Sequence, residues 1–178
     1  MSQAIKLTSR EFFLASEAGL MRTEHAQRKG QTRQYEPEQG LIDSYGQDID
    51  AACAEMAAAH VLGFFPLGLT AERLPDLYDG ATGTNLEVRH TRLPQGHLIV
   101  RKRDLEGGVD GPGIPRQGVC YVFVTGAFYE YIVHGWALET DVVQERYLHK
   151  NNGEPDAWWI PQGDLRSLDD INERGSLC

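Results

Sequence analysis

The chain has 178 residues, 41% of them hydrophobic and 24% charged, which is enough for one domain to bury a core. A formal net charge of −9 excludes broad, unspecific coating of nucleic acid, because a phosphate polyanion is repelled by that field; a local basic groove stays open. Three cysteines, Cys53, Cys120 and Cys178, with no CxxC spacing, argue against a thiolate metal site or a disulfide framework. The start carries no signal-like segment and no apolar run approaches a membrane span, so the expectation is a cytoplasmic protein with no membrane partner.

In chain order, LTSREFFLASEAGLMRTEHAQRKG reads as helix, with Thr8 or Ser9 as cap and Glu11 in the first turn. Gly19 is a candidate break, and Gly30 a stop after Arg28 and Lys29. QTRQYEPEQG, with Pro37, reads as loop. SYGQDIDAACAEMAAAHVLGFF is the clearest helix, capped by Asp48 or Asp50 and ended by Gly63. FFPLGLTAERLPDLYDGATG reads as loop with one helical turn at 71–74.

Four strand-like runs follow, NLEVRHTR, HLIVRKR, VCYVFVTG and FYEYIVHGWAL, rich in β-branched and aromatic residues. LEGGVDGPGIPRQG, between the second and third, is too rich in Gly and Pro for regular structure. AWWIPQGDLRSLDDIN is a short apolar run followed by an acidic tail. Helices first and strands later suggest α+β, or a mixed sheet with flanking helices, in one domain with a helical extension at 1–47, a core at 48–168 and a tail at 169–178.

Basic residues cluster twice, at Arg22, Arg28, Lys29 and Arg33, and at Arg89, Arg92, Arg101, Lys102 and Arg103. One basic region on an acidic body suits a phosphate backbone, and two solvated faces would read the same way. In the first strand run, alternation puts Leu86 and Val88 on the core side and Glu87 and Arg89 on the other. The preceding loop offers Asp76 and Asp79, and carboxylates converging there would suit Mg²⁺ or Mn²⁺; the plainer alternative is a surface ion pair. Glu55 has Ala51, Ala52, Ala58 and Ala59 at helical spacings around it, so its face approaches another element closely and the acid needs a partner, a metal or an arginine. Trp136, Trp158 and Trp159 read as core or interface, though an exposed one can stack on a base.

The order AEMAAAHVLGF, a loop aspartate, EVR, LIVR, YVFVTG, YEYIVHGW and WWIPQGDLR resembles phage-encoded members of the PD-(D/E)XK nuclease superfamily, over most of residues 50–168. The resemblance implies a restriction endonuclease-like central mixed sheet flanked by helices, behind a helical amino-terminal region. It further implies Mg²⁺- or Mn²⁺-dependent DNA cleavage in a host-cell cytoplasm. Carried over by position, Glu55 is the helix acid, Asp79 or Asp76 the loop acid and Glu87 the strand acid, with Arg89 in the usual lysine place and Lys102 as its substitute. Arg92, Arg101 and Arg103, with Arg28 and Lys29, become the DNA contacts, and a homodimer would allow both strands to be cut. Two departures stand out: arginine replaces lysine at 89, and Thr82 occupies the place where the phage group carries its loop aspartate. They support an alternative, an inactive nuclease-fold protein that binds nucleic acid, or a phage or host protein, as an accessory factor or inhibitor.

Overall fold

A computed structural model describes residues 1–29, 41–64, 66, 76–79, 84–105, 119–150 and 156–173. Arg33, Thr82, the loops 31–40 and 106–118, the turn expected at 71–74 and Cys178 lie outside these residues, as do the side chains of Asp79 and Arg103. The chain is a mixed α/β protein. Strand β1 (Gln3–Lys6) leads into helix α1 (Ser9–Arg28) and helix α2 (Leu41–Leu62). Strands β2 (Leu77–Asp79), β3 (Thr84–Thr91) and β4 (Leu98–Arg101) follow, then the short helix α3 (Lys102–Leu105). After β5 (Cys120–Ala127) and β6 (Glu130–Leu138) come α4 (Glu139–Val142), β7 (Leu148–His149), β8 (Ala157–Ile160) and α5 (Asp169–Glu173).

The central sheet is mixed, in the order β1-β6-β5-β3-β2, with β3 and β5 parallel and the other pairs antiparallel. A second, antiparallel sheet runs β4-β8-β7. This corrects the expectation that Lys102 could replace Arg89 from a neighbouring strand. The run LIVR does not sit beside β3; β4 pairs with β8, so Lys102 opens α3 in a different sheet's neighbourhood rather than standing on the strand next to Arg89. One face of the central sheet carries α1 and α2, and the other carries the small sheet. The amino-terminal stretch also contributes a strand, β1, to the central sheet.

Helix α1 starts where its local chemistry says it should. Thr8 Oγ1 accepts from the Glu11 amide, and the Glu11 carboxylate accepts from the Thr8 amide at 2.7 Å, closing a capping box. Gly19 does not break the helix. A Cβ there would lie 2.6 Å from Ile49 Cα, so this glycine is the point at which α1 and α2 touch backbone to backbone. Helix α2 begins before the expected caps. Asp48 and Asp50 fall inside it and point elsewhere, Asp48 accepting from Thr23 Oγ1 at 2.5 Å and Asp50 pairing with Arg92. Gly63, at φ +69, ends the helix.

Two cores result. On the helix side, Ala52, Ala54, Ala57 and Ala58 are fully buried against Leu86, Val88, Val122 and Val124. On the other side, Tyr121 and Phe123 pack with Leu98, Val100 and Ile160 of the small sheet. Cys53 is a buried free thiol, whereas Cys120 is disulfide-bonded, against the expectation of reduced cysteines. Among the described residues no helix is long and apolar enough to cross a membrane.

Candidate functional site

Leu86 and Val88 are buried on the helix side, while Glu87 and Arg89 stand opposite Tyr121 and Phe123 in register and face the second layer, as the alternation requires. Arg89 lays its guanidinium 5.6 Å from the centre of the Tyr121 ring. At the foot of β2, just past the end of its ladder with β3, the Asp76 carboxylate accepts the Val88 amide at 2.7 Å, taking the place of a strand partner.

Glu55 reaches this point from α2. It is only 4% exposed, and Arg22 of α1 holds both its oxygens, at 2.6 and 2.5 Å. The close helix contact at Gly19 and the alanines of α2 bring Arg22 within reach. Burial, the neighbouring Asp76 and the nearby Glu87 push the Glu55 carboxyl up to about 8, against the opposing pull of Arg22. Asp76 is also raised, first by burial, with the Val88 amide, Arg22 and Arg89 pulling the other way. The two acids titrate as a pair, and the upward direction belongs to the pair: one proton resists leaving until neutral pH or above.

Glu55 feels the charge of Asp76 and, more weakly, of Glu87, and Asp76 feels Arg89, while Glu87 itself points to the face of β3 away from the helices. Among the described residues no three His, Cys, Asp or Glu side chains are gathered as a metal-holding group. The donor chemistry nevertheless fits a hard cation. Mg²⁺ is often held by one or two carboxylates, with water and substrate phosphate completing its shell, and Asp76 and Glu87 are carboxylates whose neighbour already suffers their charge.

Beside the acids an open cleft of about 670 Å³ runs along β3, lined by Arg89, His90, Arg92, His97, Ile99 and Arg101 together with Asp50 and Phe123. Val88 and Arg89 border it too, so the cleft begins where the acidic group ends. Arg92, 61% exposed, holds the buried Asp50 at its wall. His90 Nε2 lies 2.8 Å from the Gly126 carbonyl oxygen, and burial lowers its pKa.

Of the other expected DNA contacts, Arg28 pairs with Glu24 on α1 at 3.3 Å, and Lys29 caps that helix; neither lines the cleft. Lys102 is exposed and does not line it either. Sequence reasoning missed the position of Arg22, which it grouped only with a basic cluster; the signal available was the demand of Glu55 for a partner. No family model matches the chain, nor does any curated protein or solved structure.

Proposed function

We propose that the chain is a Mg²⁺-dependent nuclease acting on DNA phosphodiester bonds. The observation that carries this reading is the arginine-lined cleft along β3, with the Asp76 carboxylate bonded to the Val88 amide at its edge and feeling the charge of Arg89. Asp76 and Glu87 would hold the ion, which when bound supplies Lewis-acid stabilisation of a phosphate and a nucleophile at neutral pH. Glu55, clamped by Arg22, positions Asp76 and shares its proton. Arg89 stays charged, so its part is to stabilise negative charge on the phosphate rather than to act as base. Arg92 and Arg101 would guide the backbone along the cleft.

The hold of Arg22 on both oxygens of Glu55 favours a second reading, a nuclease-fold protein that grips DNA without cutting it. Incubation of labelled DNA with Mg²⁺ or Mn²⁺ separates the two. The nuclease reading expects cleavage that Glu87→Gln abolishes with the fold intact by circular dichroism. Binding without cleavage in either metal supports the second reading.

A further inference from the structure

Trp159 is the exposed tryptophan of the small sheet, 37% open to solvent, and histidines flank it. His149 of β7 stacks on the indole with ring centres 4.5 Å apart and planes 30° apart; His97 stands 6.1 Å away, tilted by 47°. Ile99, the register partner of Trp159, and His97 both line the cleft, so the aromatic group continues its wall. The group is held in place from behind. Gln162, just after β8, donates from Nε2 to the carbonyls of Pro94 at 2.8 Å and Gly96 at 3.1 Å, pinning the β3–β4 turn that carries His97.

An exposed indole between imidazoles costs apolar contact with water unless something covers it. What the surroundings favour is a flat, polyanionic partner: Arg89, Arg92 and Arg101 along the cleft match a phosphate backbone, and the rings match a base face. A base paired within a duplex offers its face only at an end, so a strand that follows the arginines must present unpaired bases to reach Trp159. We propose that Trp159, His149 and His97 form a base-stacking platform that selects DNA with a single-stranded segment. This inference rests on the nuclease reading, names its substrate class, and is tested by binding alone.

The test uses tryptophan fluorescence and anisotropy in EDTA, with a single-stranded oligothymidine and a blunt duplex of equal length. Trp136 is buried, with its indole N–H given to the Ser167 carbonyl at 2.8 Å, and Trp158 packs against the second core, so together they supply a background that Trp159→Leu isolates. The single strand is expected to quench emission and to bind more tightly than the duplex. Trp159→Leu removes most of the quenching and weakens the single strand roughly 5- to 160-fold, the range of one lost base stack. His149→Ala, a milder change at the sheet edge, gives a smaller loss in the same direction. Wild-type affinity in Trp159→Leu, or equal binding of duplex and single strand, overturns the platform and leaves the nuclease reading standing. Failure to bind either DNA, together with absence of cleavage, overturns both.

Discussion

The two faces of the central sheet treat charge in opposite ways. Strand β5 shows the difference within consecutive residues: Val122 and Val124 face the helices, and Tyr121 and Phe123 face the small sheet. On the helix side, alanines and Gly19 draw the backbones so close that Glu55 loses its water and must share Arg22. On the other side, Tyr121 and Phe123 pack against the small sheet, and Arg101 at the end of β4 stays exposed along the cleft. Small residues here tune acids by burial; large ones leave room for a ligand. The same total charge thus does two jobs according to how tightly its surroundings pack.

The sharpest way to break the comparison is Arg22→Met. It strands Glu55 beside Asp76 in a dry site, and a loss of about 3–5 kcal/mol is expected in urea unfolding, as for other severed buried pairs. Glu55→Gln should cost less, because Asp76 still answers Arg22. Next comes Gly19→Ala. Its methyl would meet Ile49 backbone, so the helices must part, at about 1–3 kcal/mol.

The acidic pair also gives stability a slope with pH. Its folded value, about 8 for Glu55, lies above the ordinary 4.5, so between the two the folded chain binds more protons than the unfolded one. The contribution is complete below 4.5 and is lost as pH rises through about 8. Melting temperature should accordingly fall across that window, and Glu55→Gln should flatten the fall. The smallest effect on stability is expected at Arg101, on the open side: Arg101→Ala changes unfolding by no more than about 0.5 kcal/mol. It should still reduce the salt slope of single-strand binding by roughly 0.7. A large stability loss there, or none in Arg22→Met, would erase the contrast between the faces.

What could be read from sequence was local. Thr8 and Glu11 declare the start of α1 because a capping box is complete within four residues. The runs that became β3, β5 and β6 declare themselves by β-branched and aromatic content. The small sheet escaped because β4 finds its partner β8 far along the chain, and no local pattern encodes that pairing. Gly19 misled for a related reason, since a glycine that admits a neighbouring helix looks, in one dimension, like one that ends its own. Asp48 and Asp50 resemble caps until Thr23 and Arg92 are seen to engage them. At the site, the charged pair Glu87 and Arg89 followed from alternation, and the need of Glu55 for a partner from its alanine surroundings. That Arg22 meets this need, and that Asp76 turns back onto β3, depends on contacts between distant segments.

The bond from the Val88 amide to Asp76 gives the acidic group a spectroscopic handle. Because a side-chain carboxylate, and not a strand, occupies that amide, its proton exchange with deuterated solvent is governed by the charge and occupancy of one carboxyl group. Anything that draws Asp76 away, whether a cation or a proton, is recorded at a single backbone position at the head of the cleft. One resolved amide resonance can therefore follow the state of the site without any substrate being present.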